Sequence, residues 1–178
     1  QQSEKIKQLV ESSHSIFAHY HKLEKNNVLT QEQAQKAALN VIKDIRFGNN
    51  NYFWVNNLEP RMVMHPIKSS LDNQLLGNIK DPDGVQLFSE MAKIVKAKGE
   101  GYIPYKWPKA GSEEPIDKIS YVKGFTPWQW MIGSGVYLDT IQAIYAEQRN
   151  YLLLETLIII LITVTFSYFI GKSILLPT

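Results

Sequence analysis

The chain has 178 residues, 19 Lys and Arg against 17 Asp and Glu, 44% hydrophobic and 20% charged residues, and no cysteine. A net charge of +2 with no Lys/Arg run argues against a nucleic-acid partner, which would need a basic patch to release counterions. The composition is that of a globular chain, and the lack of cysteine excludes disulfide frameworks, zinc-thiolate sites and thiol nucleophiles.

From the N-terminus, residues 3–25 predict a long amphipathic helix. Ile6, Leu9, Val10, Ser13, Ile16, Phe17, Tyr20 and Leu23 recur at three- and four-residue steps, close to the period of a helix seam. Asn26-Asn27 breaks the pattern. Thr30-Gln31-Glu32-Gln33 has the form of a capping box and opens a second helix, with Ala34, Ala37, Ala38, Val41, Ile42 and Ile45 on one face. Gly48-Asn49-Asn50-Asn51 ends it. His14, His19 and His21 lie on the first helix, but His19 and His21 are two apart and cannot face one another, so no metal site is read.

The texture then turns to strand. Tyr52–Val55 and Met62–His65 are aromatic, β-rich runs around Leu58-Glu59-Pro60, a hairpin signal. Residues 67–83 are polar and lead into Asp81-Pro82-Asp83-Gly84, a strong turn. Residues 85–98 return to helical spacing, and Gly99 caps that helix. Three more strands follow, Gly101–Trp107, Asp117–Phe125 and Trp128–Leu138, with Pro108–Pro115 as a loop between the first two. From Asp139 a helical pattern runs on without a Gly or Pro break. The order implies an α+β domain built on a five-stranded, mostly antiparallel sheet.

After residue 150 only Glu155 and Lys172 carry charge. Leu152 to Ile170 is an apolar stretch of nearly the ~20 residues that cross a bilayer core. Tyr151 and Tyr168 fall where interfacial aromatics belong, and Glu155 is near enough to one end to reach the interface. A buried core helix is the competing reading, but no later segment is there to bury it. Lys172 just past the span fits a cytoplasmic C-terminal side. Starting at Gln1 and stopping at Pro177-Thr178, the sequence reads as a piece of a longer chain.

Residues 101–137 are dense in aromatics, which on strands are most often plain core. Their polar company points further. By strand alternation Tyr105 and Trp107 share a face, as do Lys118 and Ser120, and as do Arg61, Val63 and His65. A lysine flanked by Ile116 and Ile119 must reach solvent or pair with an anion. If the three sets converge, they make an aromatic box with one or two cations, the chemistry of a small-carboxylate pocket. The ligand-binding candidates are Lys118 for charge pairing, Tyr105 and His65 for the second oxygen or a keto group, and Arg61 as a second cation. Ser120 accompanies Lys118, and Trp54, Trp107 and Tyr121 set pocket size. For His65 a purely local hydrogen-bonding role is the alternative. No phosphate loop, nucleophile elbow or His-Glu zinc motif is present, so the expectation is a binding protein without catalytic residues, metal or cofactor.

The run Asn51-Tyr-Phe-Trp54, Arg61-Met-Val-Met-His65-Pro66, Asp81-Pro-Asp-Gly84, Gly99-Glu-Gly-Tyr102, Tyr105-Lys-Trp107-Pro108, Lys118-Ile-Ser-Tyr121 and Trp128-Gln-Trp130-Met-Ile-Gly-Ser-Gly-Val-Tyr137 resembles the single Cache sensor domain. That family forms the periplasmic part of bacterial methyl-accepting chemotaxis receptors and of some sensor histidine kinases. The resemblance implies a PAS-like sheet behind a long N-terminal helix and one pocket for a ligand of the acetate, propionate, pyruvate or lactate class. It implies an extracytoplasmic sensor at residues 1–150, a transmembrane helix at 151–171 in the bacterial inner membrane, and at 172–178 the start of a HAMP-like linker. A downstream cytoplasmic signalling domain of the same chain is expected, of chemoreceptor or, alternatively, histidine kinase type. A membrane-anchored enzyme or a structural module are the readings from other classes. The stripe on the first helix is expected to meet the same stripe of a second chain, giving a homodimer.

Overall fold

The structure is a computed structural model that describes residues 2–48 and 50–175. Helix α1 (Gln2–Lys25) and helix α2 (Gln31–Asp44) come first. The capping box at the start of α2 is made in both directions: Gln33 N–H donates to Thr30 Oγ1 at 3.2 Å, and Thr30 N–H donates to Gln33 Oε1 at 2.9 Å. Strands β1 (Arg46–Phe47), β2 (Asn51–Asn57) and β3 (Met62–Met64) precede a long loop. Helix α3 (Leu87–Lys98) then leads to β4 (Glu100–Pro108), β5 (Pro115–Phe125) and β6 (Trp130–Tyr137). Gly99 ends α3 in the left-handed region at φ 79°, where its N–H reaches Val95 O at 2.8 Å.

The sheet is antiparallel throughout, in the order β1-β2-β6-β5-β4, with β3 also pairing with β2. The five strands read from the sequence are all present, and the two-residue β1 adds a sixth. Trp128 belongs to a 3-10 turn (Thr126–Trp128), so β6 begins two residues later than its aromatic run suggests. Gln129 after that turn takes a left-handed φ of 54° that interrupts the extended chain.

Each side of the sheet carries its own core. One side packs Phe53, Val55, Tyr121 and Ile132 against Ile6, Val10 and Phe17 of α1 and Ala34, Ala38 and Ile42 of α2. The other packs Tyr52, Trp54, Tyr105, Val122 and Met131 against Leu87, Phe88, Met91 and Val95 of α3. The period of two along β2 accounts for this division, since residues 52 and 54 face one side and 53 and 55 the other. The α1 stripe is therefore used inside the chain. Ile6, Val10 and Phe17 are at most 1% exposed and Ser13 is 6% exposed, whereas Glu4, Lys5, Gln8, Ser12 and Ser15 face outward. The residues expected to form a seam with a second chain thus cover this chain's own sheet.

The chain divides into two compact units, residues 1–139 and 140–178. The second consists of the later part of helix α4 (Leu138–Leu175). Within it Tyr145–Ile170 has a mean hydropathy of 2.2 and is long and apolar enough to cross a membrane. The side chains of Ile141 and Ile144, and Leu176-Pro177-Thr178 at the end of the HAMP-like segment, lie outside the described residues.

Candidate functional site

The α3 side of the sheet holds a small cavity of about 10 Å³, room for roughly one water. Strand pairing sets its floor. Lys118 on β5 stands opposite Tyr105 on β4 and Tyr137 on β6, so all three side chains emerge on one face. Tyr52 and Trp54 reach the same face from β2. His65 arrives from the residue after β3, and Leu87 and Phe88 from the first turn of α3.

Two glycines on β6 make the space. A Cβ on Gly133 would sit 2.4 Å from Cζ2 of Trp54, and one on Gly135 would sit 2.1 Å from Ser120 Oγ and 2.9 Å from Lys118 Cε. The indole and the lysine stem therefore lie directly against bare backbone, and Trp54 Nε1 is buried without a hydrogen-bond acceptor.

Lys118 is the electrostatic centre. It is 2% exposed, and no carboxylate among the described residues pairs with it. Its Nζ lies 4.7, 4.8 and 5.3 Å from the ring centroids of Tyr52, Tyr137 and Trp54, with the Tyr52 hydroxyl at 3.4 Å. Ring faces compensate only part of the hydration the ammonium has lost. Burial accordingly pulls Lys118 down to about 7.

His65 is fixed by its own backbone. Its Nδ1 accepts the N–H groups of Ile67 at 3.2 Å and Lys68 at 3.0 Å. A nitrogen that accepts two hydrogen bonds carries no proton, so the neutral ring holds its N–H at Nε2. Burial first, then the nearby charges of Lys118 and Lys68, push His65 down to about 3. It is a permanently neutral donor. The Tyr105 hydroxyl is hydrogen-bonded to Ser120 Oγ at 2.9 Å, and burial raises its pKa.

Of the residues singled out in the sequence, Lys118, Tyr105, His65, Trp107 and Trp54 line this one cavity, and Ser120 lies beneath it as the partner of Tyr105. Two do not. Tyr121 is one residue out of phase with Lys118 and Ser120, so it faces α1, where Lys7 lies over its ring at 5.8 Å. Arg61 precedes β3, so strand alternation does not extend to it. It is exposed, and its Nη1 donates to Asn73 O at 2.5 Å on the loop that follows β3.

Sequence reasoning left out Tyr52, Tyr137, Leu87 and Phe88. Tyr52 could have been found, because it shares the parity of Trp54. Leu87 and Phe88 give no such signal, since only the path of the 66–86 loop brings them over the sheet.

A wider groove of about 340 Å³ between α2, β3 and β6 is open, and its Lys36, Lys43 and Glu32 are exposed. Solvated charges there need no ligand. The buried Lys118 without a carboxylate partner among the described residues stands apart from them, and that makes the smaller cavity the candidate site.

A family profile described as Cache domain matches residues 1–167. The chain is 40% identical over 175 residues to the methyl-accepting chemotaxis protein McpP of Pseudomonas putida, covering 98% of this chain and 32% of that protein. It is 31% identical over 112 residues to the sensor histidine kinase MctS of Rhizobium johnstonii, covering 63% of this chain and 24% of the kinase. The chain thus spans about a third and a quarter of these relatives. A solved structure described as the structural basis for carboxylic acid recognition by a Cache chemosensory domain is 47% identical, with a TM-score of 0.75 over 76% of this chain and 92% of that one.

Proposed function

The chain belongs to the Cache-domain family, and from that premise we propose that it is the extracytoplasmic sensor of a bacterial chemoreceptor that binds a two- or three-carbon monocarboxylate at Lys118. One observation carries the ligand class: a buried ammonium, walled by aromatic rings, that lacks a carboxylate of its own. A carboxylate at that point would neutralise Lys118 and take further donors from the Tyr52 hydroxyl and His65 Nε2–H. One cation matches one negative charge, so a dicarboxylate would bring a second charge into a site with nothing to balance it. The carboxylic-acid-recognising neighbour supports the same class. On this reading the work of the site is binding, with the signal passed to a membrane-spanning α4 and a cytoplasmic domain beyond it. Because the histidine kinase relative shares the sensor but has another output, kinase output is the second reading. Downstream sequence separates the two.

The test is a thermal-shift screen of the chain in detergent with acetate, propionate, pyruvate and lactate. Ligand at a hundred times its dissociation constant should stabilise the native state by about 2.7 kcal/mol. Lys118→Met should lose that stabilisation, corresponding to roughly 2–4 kcal/mol of binding free energy, while folding at least as stably without ligand because a buried charge is gone. No shift with any of the four acids at millimolar concentration would overturn the assignment.

A further inference from the structure

We propose that Leu87 and Phe88, the first two residues of α3, set the length of acyl chain that the site accepts. The inference deepens the carboxylate reading above and rests on it. Of the eight residues that line the cavity, these two alone have side chains without a polar atom, and they are 1% and 2% exposed. A short carboxylate held by Lys118, Tyr52 and His65 through its oxygens has one remaining end, and that end is hydrocarbon. It is best placed against the one part of the wall that makes no demand for a hydrogen bond.

The free volume fixes what must yield. About 10 Å³ does not hold even a two-carbon acid, so binding displaces part of the lining. The sheet side of the cavity has little freedom to give way. Trp54 lies flat on Gly133, Tyr105 is tied to Ser120, and the His65 ring is held through Nδ1 by two backbone N–H groups. Leu87 and Phe88 are held by packing alone, on a helix start whose N-cap, Gln86, makes no side-chain capping bond. The Phe88 ring meets Trp107 edge-on at 5.8 Å, so its retreat opens space beside the half-buried indole. Each further methylene has to be accommodated by these two side chains, and their bulk is the limit.

The experiment measures dissociation constants of acetate, propionate, butyrate and valerate for the 178-residue chain in detergent micelles. Wild type should prefer two or three carbons. Leu87→Ala and Phe88→Leu should move the optimum one or two carbons longer, gaining about fourfold per methylene admitted. Acetate affinity should change no more than about threefold, because the donors are untouched. Leu87→Phe should act in the opposite sense and weaken propionate relative to acetate. Leu87→Val serves as the milder variant if Leu87→Ala does not melt cooperatively. An unchanged rank order of the four acids in folded variants would overturn the proposal while leaving the carboxylate site in place. If none of the acids binds wild type, the carboxylate reading itself fails, and this inference with it.

Discussion

Two buried bases that line one cavity have been given different protonation behaviour by their surroundings. His65 is held neutral by burial, by its cationic neighbours and by the backbone donors at Nδ1, and at about 3 it does not titrate between pH 5 and 9. Tyr52 on β2, Tyr105 on β4 and Tyr137 on β6 face the same ammonium, and burial raises all three above the ordinary tyrosine range. Within the site, the pH response near neutrality therefore belongs to Lys118. Its folded value of about 7 lies below the 10.5 of a free lysine, so between the two the unfolded chain holds the proton that the folded chain has released. Ligand-free stability should rise with pH across that window, at most about 1.4 kcal/mol per unit. Below the ordinary histidine value of 6.5 it should keep falling with pH, because the depressed His65 and His14 take up protons more readily in the unfolded chain. A bound carboxylate reverses the balance, since it makes the charged lysine the favoured form. Binding at pH 8 should then take up close to one proton, and affinity should fall by up to tenfold per pH unit above 7. Calorimetry in two buffers of different ionisation enthalpy measures the uptake directly, and zero uptake at pH 8 would mean that Lys118 is charged in the free site. Lys118 is legible in the sequence because strand alternation puts it on a buried face with no nearby partner. Tyr121 fails by that same alternation, as an aromatic residue of the wrong parity.

The element scale shows where pattern alone was sufficient and where it was not. The helix starts, the capping box at Thr30, the Gly99 stop and the five main strands follow from local signals that need no tertiary information. Strand order does not, because β6 inserts between β2 and β5, and only the assembled sheet turns Gly133 and Gly135 into the floor of a site. Gly135→Ala would place its methyl 2.7 Å from the Ile119 carbonyl as well as against Ser120 and Lys118. Backbone on one side cannot move aside cheaply, so this variant should lower thermal stability by about 1–3 kcal/mol and abolish carboxylate binding. A variant that melts and binds like wild type would show that Lys118 does not need that bare backbone. The α1 stripe was ambiguous for a physical reason, since apolar residues at helical spacing look the same whether they meet their own sheet or a second chain. Burial decides it. Cysteines introduced at Ile6 or Ser13 should resist a polar maleimide in the folded chain, while those at Lys5 or Ser12 should label at the rate of an exposed thiol. Rapid labelling at Ile6 would return that face to intermolecular use.

For the whole molecule, composition separates a charged part from an apolar one, because charge almost ceases after residue 150, within the helix that begins at Leu138 and holds the apolar window Tyr145–Ile170. What composition could not show is how the site is tied to the start of α4. Trp107 lines the cavity, and the next two residues hold the end of β6: Tyr137 Oη donates to Pro108 O at 2.7 Å, and Lys109 Nζ pairs with Asp139 at 2.7 Å. Tyr137 also presents its ring to Lys118, so one side chain contacts both that lysine and the strand end that leads into α4. A ligand changes signalling only through a difference in its affinity for two states of such a link. Tyr137→Phe keeps the ring over Lys118 and removes the hydroxyl bond to Pro108, together with the hydroxyl's contact to Tyr52. Carboxylate affinity of the chain in detergent should stay within about threefold of wild type. The dose-response of the full-length receptor in cells should shift by about five- to tenfold, because loss of a half-buried hydrogen bond of about 1–1.5 kcal/mol biases one state over the other. If affinity and dose-response both match wild type, the Tyr137–Pro108 bond plays no part in the coupling, and the Lys109–Asp139 pair is the next link to cut.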